Sequence, residues 1–87
     1  MTYEQKVYQI QRLVNGKAGR MTRKQSTIGW YLLDARYFVK KYPENPAVTI
    51  EQALEAAQAV AAHKGRWDDS LKPLLDKVAA FLVSIGK

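Results

Sequence analysis

Residues 48–65 read VTIEQALEAAQAVAAHKG, and this stretch sets the fold class. Thr49, followed three residues later by Gln52, forms a capping box. The hydroxyl and the amide each satisfy a backbone donor that the first helical turn leaves orphaned. Ile50, Ala53, Leu54, Ala57, Val60 and Ala61 then recur at the spacing of one helix face. Gly65 ends the run, and the alanines let a neighbouring helix come close.

The chain on either side reads the same way. Downstream, a helix starts near Asp69 or Ser70 and reaches Ile85. Pro73 falls in its first turn, where no intrahelical donor is lost. Leu71, Leu74, Leu75, Val78, Phe81, Leu82 and Ile85 form its broad apolar stripe, and Gly86 supplies a stop. Upstream, a helix begins at Ser26, or at Thr22 with Gln25 as a second box. It ends at about Tyr42, because Pro43 disfavours helix at the residue before it. Pro43 to Pro46 is a stiff turn. The first helix spans residues 3–15. Thr2 with Gln5 caps it, and Tyr3, Val7, Ile10 and Val14 give its stripe, with Leu13 alongside. Gly16 suits the left-handed position after a helix end. Residues 17–25 are left as a basic connection. No stretch alternates as a strand does. The expectation is an all-α chain, one domain over residues 1–87, folded as a compact four-helix bundle.

Charge is distributed unevenly. Residues 5–33 hold Lys6, Arg12, Lys17, Arg20, Arg23 and Lys24 and no acid, while the rest holds eight bases and eight acids. The formal net charge of +6 is therefore a localised field. Such a field attracts a polyanion by displacing its counterions. With no cysteine, disulfides and thiolate metal sites are excluded. The opening residues lack the apolar run of a signal peptide, and no stretch approaches the ~20 apolar residues of a membrane span. A soluble, cytoplasmic protein is expected, with no membrane partner.

The helix of residues 26–42 has two apolar sides. Ile28, Tyr31, Leu32, Ala35, Val39 and Tyr42 share one, the core stripe. Trp30, Leu33 and Tyr37 lie opposite, flanked by Lys40 and Lys41. Surface helices carry one apolar face. Either this helix is central and packed on both sides, or it shows an aromatic patch beside lysines. Gly29 inside it marks a close approach of another backbone. Arg66-Trp67, with Lys64, is a second basic-aromatic pair, or else Trp67 plugs the end of the bundle while the two bases are solvated.

Catalytic chemistry is not expected. His63 is the single histidine and reads as a helix-end residue. Ser26, Ser70 and Ser84 have no evident histidine partner, and Asp68 and Asp69 read as caps. No metal, cofactor or small-molecule substrate is expected, and the chain is read as a non-enzyme.

Across residues 26–86 the landmarks are Thr27, Tyr31, Asp34 and Phe38 in TIGWYLLDARYFVKKY, then a Thr-led helix. Gly65, Ser70 and Phe81 follow in GRWDDSLKPLLDKVAAFLVSIGK. Their order and spacing resemble the N-terminal core-binding domain of tyrosine recombinases, the phage-integrase family. The resemblance implies a SAM-like orthogonal bundle and a role in DNA recombination and integration on mobile elements. The family's catalytic domain, with its arginines, histidine and tyrosine nucleophile, has no counterpart in these residues. The resemblance thus implies a DNA-clamping module that cannot cleave by itself.

Two functions are therefore expected. The first is duplex DNA binding, mainly to phosphates, through Lys17, Arg20, Arg23, Lys24, Arg36, Lys40, Lys41, Lys64 and Arg66. The alternative is a small interaction module, an inhibitor or adaptor of phage or plasmid type, that docks an acidic protein through Trp30, Leu33 and Tyr37. Self-association through that same face is a third reading.

Overall fold

The computed structural model describes residues 1–21, 27–44 and 47–87. Four helices follow one another: α1 (Tyr3–Met21), α2 (Thr27–Lys41), α3 (Ile50–Ala62) and α4 (Leu71–Ser84), with no strand among the described residues. Both candidate starts of α2, Thr22 with Gln25 and Ser26, lie outside the described residues, as do Asn45 and Pro46 of the proline turn.

The helix ends follow from local chemistry. At α1 the Thr2 N–H donates to Gln5 Oε1 at 2.9 Å, and the Gln5 N–H donates to Thr2 Oγ1 at 3.2 Å. The same reciprocal pair opens α3, at 3.0 and 3.2 Å between Thr49 and Gln52. At α4 the Ser70 hydroxyl makes no cap bond. Asp68 instead accepts the Ser70 N–H at 2.8 Å, and this bond holds the Asp68 carboxyl below its ordinary range. α4 closes on Gly86, whose φ is 78°. The Gly86 N–H donates to the Val83 carbonyl at 3.1 Å, and the Lys87 N–H to that of Leu82 at 2.8 Å, the Schellman pattern.

α1 is longer than expected. It does not stop at Asn15, and residues 17–21 are helix rather than connection. Gly16 is not in the left-handed region; Gly65 and Gly86 are the glycines of positive φ among the described residues. The reason is packing. Ala18 adds a further turn to the stripe of Val7, Ile10 and Val14, and all four are buried. Gly16 and Gly19 each cost about 1 kcal/mol against alanine in a helix interior. Burial of Ala18 and a capping bond from Lys17, described below, offset that cost.

The buried core combines this stripe with Ile28, Leu32 and Ala35 of α2, Ala53, Ala56, Ala57 and Val60 of α3, and Leu71, Leu75, Val78, Ala79, Phe81 and Leu82 of α4. No polar or charged residue is buried among those described. α1 packs on α3 and α2, and α4 packs on α3 and α2, so the helices run around the bundle in the order α1, α3, α4, α2. The shortest dimension of the molecule, 20 Å, corresponds to two helix layers. Lys6 lies 3.8 Å from Glu51 near the start of α3, and Lys17 reaches the carbonyl of His63 at its end. α1 and α3 therefore point the same way.

This order settles the two-faced helix. α2 is not packed on both sides: Trp30, Leu33 and Tyr37 are 51, 56 and 64% exposed. α1 buries much of its stripe against α3, and α2 turns only its core side inward. Tyr42, expected on that core side, is also exposed, because α2 ends at Lys41 and Tyr42 lies beyond it.

Candidate functional site

Lys17 organises the basic end of the bundle. Its position on α1, one turn after Leu13, directs its ammonium to the C-terminus of α3. There Lys17 Nζ donates to the His63 carbonyl and lies 3.5 Å from that of Gly65. Helix C-termini leave carbonyls unpaired and carry partial negative charge, so a lysine satisfies both demands. The loop it holds is compact. His63 caps α3, and its Nε2 lies 3.1 Å from the Arg66 carbonyl oxygen, a bond made when that nitrogen carries a proton. Gly65, at φ 92°, turns the chain between them. Lys64 and Arg66 are exposed on this loop.

Extending α1 to Met21 brings a further row into play. Tyr8, Arg12, Gly16 and Arg20 recur every four residues and line one groove along α1, with Ala61 of α3 on its far side. Arg12 and Arg20 are exposed, and Tyr8 is 64% exposed. At 1.5 Å per residue the two arginines stand about 12 Å apart along the axis. Arg12 was not among the residues expected to bind. The signal that finds it is the four-residue repeat through Gly16, visible once that glycine is read as helix.

The expected site is thus only partly assembled. Lys17, Lys64 and Arg66 come together, and Arg20 lies on the next turn of α1 after Lys17. Arg23 and Lys24 lie outside the described residues. Arg36, Lys40 and Lys41 belong elsewhere. Near the start of α2, Tyr31 packs against Trp67, the residue after Arg66, with ring centroids 5.0 Å apart. Lys41 lies ten residues farther along α2, roughly 15 Å. Arg36 is half-buried, and its Nε is enclosed with no acceptor among the described residues.

Trp67 is half-buried against the core. It fills the corner between α2 and α4, and Lys64 and Arg66 beside it are solvated. The Tyr31 hydroxyl donates to Asp76 Oδ1 of α4 at 2.8 Å. Desolvation first, then this bond to a carboxylate, pushes the Tyr31 phenol up to about 12, so it stays neutral. These contacts tie α2 to α4 and anchor the basic loop from its other side. Among the described residues no cluster of histidine and acids has the arrangement of a metal site. No helix is long and apolar enough to cross a membrane.

Comparison with protein-family models, with curated proteins and with solved structures gives no match to this chain.

Proposed function

We propose that this chain is a nucleic-acid-binding module that grips duplex DNA mainly through its phosphates and performs no chemistry of its own. The reading rests on one observation: the Lys17 bond to the His63 carbonyl draws the basic half of α1 against the Lys64–Arg66 loop. Arg12, Arg20, Lys64 and Arg66 then present exposed cations from two elements, with Lys17 behind them as a further positive charge. Two arginines about 12 Å apart along a helix match the ~12 Å width of the major groove, so one helix can reach phosphates on both of its edges. Arg23 and Lys24 add charge next to this end in the sequence. The resemblance of residues 26–86 to recombinase core-binding domains points to the same ligand.

Phosphate contacts give orientation and affinity rather than sequence preference. Four or five of them imply a log–log salt slope of about −3.6 to −4.5. Fluorescence anisotropy with a mixed-sequence duplex at ~50 and ~200 mM salt should show affinity falling by roughly 10²-fold or more. The pair Lys64→Ala with Arg66→Ala should lessen the slope by about 2. Lys40→Ala with Lys41→Ala should leave it unchanged. Absence of binding at ~50 mM salt, or binding indifferent to salt, refutes the proposal.

A further inference from the structure

The outward side of α2 is absorbed neither by the core nor by the basic end. Trp30, Leu33 and Tyr37 follow one another at helical spacing and are 51, 56 and 64% exposed. Folding orders three large side chains there without covering them. Polar residues would serve solubility better, so an uncovered apolar row marks a contact surface.

Charge identifies the occupant. α2 carries Arg36, Lys40 and Lys41 against one acid, Asp34. Both lysines stand in its last turn, at the end of the apolar row. Lys41 Nζ lies 6.0 Å from the Tyr37 ring centroid and 5.7 Å from that of Tyr42. The rings hold this exposed ammonium at the end of the apolar row, where an incoming carboxylate can pair with it. A second copy of this chain is disfavoured. It would bring like lysines into one interface, and each copy carries a net +6. Duplex DNA is disfavoured at this face too, since Leu33, between the aromatic residues, offers phosphate no donor and a base no ring.

We infer that this face docks an acidic amphipathic helix of another protein, laying its apolar side chains over Trp30, Leu33 and Tyr37 and its carboxylates at Lys40 and Lys41. This site is separate from the proposed phosphate contacts on α1 and the α3–α4 loop.

The experiment uses the full chain carrying Trp67→Phe, which keeps a ring beside Tyr31 and leaves Trp30 as the sole indole. The probe is a synthetic helix of about five turns with leucine on one face and glutamate on the other. A counterpart with lysine in place of glutamate and a mixed-sequence duplex serve as comparisons. The acidic peptide should shift Trp30 emission to shorter wavelength saturably, and the basic peptide should not. Leu33→Asp should weaken binding at least about tenfold, as should Lys40→Glu with Lys41→Glu, with duplex binding retained in both. An unchanged far-ultraviolet dichroism spectrum shows that these variants fold, and duplex binding separates failure here from failure of the nucleic-acid reading. The inference is overturned by any of four results. The acidic peptide produces no saturable shift, or its binding survives Leu33→Asp. The protein alone shows a concentration-dependent shift with doubled mass by ultracentrifugation, which assigns the face to a second copy. The duplex shifts Trp30 where the acidic peptide does not, which assigns the face to DNA.

Discussion

Replacing Lys17 with methionine keeps the length and apolar stem of the side chain and removes its ammonium. The carbonyls of His63 and Gly65 would then rely on water, and α3 would lose a cation at its negative end. The bond is charge-assisted but only part-buried, so the expected loss is about 1 kcal/mol, read as a lower urea midpoint with unchanged slope. A midpoint equal to wild type would mean that Lys17 does not hold the loop. The sequence shows Lys17 as one basic residue among several and ranks it with the phosphate ligands. Its acceptor lies 46 residues away, a distance at which neither period nor capping rule speaks. Thr49 is the opposite case. Its partner is Gln52, and a bond three residues long is readable from the letters alone.

Elements were legible where their signals are local. Both capping boxes, the Pro43 boundary and the Gly86 stop rest on contacts within a few residues. The end of α1 was not, because a glycine marks a C-terminus only if nothing beyond it packs. Ala18 does pack, and the helix continues through two glycines. Gly19 is exposed, its φ is not positive, and a Cβ built on it would meet nothing within 4 Å. Gly19→Ala should therefore stabilise the chain by about 0.5–1 kcal/mol, raising Tm by roughly 2–8 °C in a calorimetric scan. An unchanged or lower Tm would show that residues 17–21 are not held as helix in solution. On α2 the period reveals two apolar sides but cannot say which is covered. That depends on α1 taking α3 as a main partner, a choice made between elements.

At the scale of the whole molecule, two of the bundle's four main walls interleave the sequence. α1 leans on α3 across the intervening α2, and α2 leans on α4 across the intervening α3. α1 also meets α2 and α3 meets α4, but neither half of the chain holds both sides of the two interleaved walls, so each half alone leaves part of its apolar stripe uncovered. Unfolding should be a single cooperative event. Thermal curves followed by far-ultraviolet dichroism, which sees all helices, and by Trp67 fluorescence in a Trp30→Phe variant, which sees the α2–α4 corner, should share one midpoint. Midpoints several degrees apart would mean that one wall opens before the other. The all-helical bundle could be read from the chain; the ring order that creates its free and basic faces could not, because it is written in contacts far apart in sequence. The same order imposes a delay during synthesis. A ribosome adding about 5–20 residues per second makes Lys17 roughly 2–9 s before His63, 46 residues later, exists to receive it. Through that interval Val7, Ile10 and Val14 are without the α3 wall that covers them, so the apolar stripe of a nascent α1 stays open to solvent for seconds.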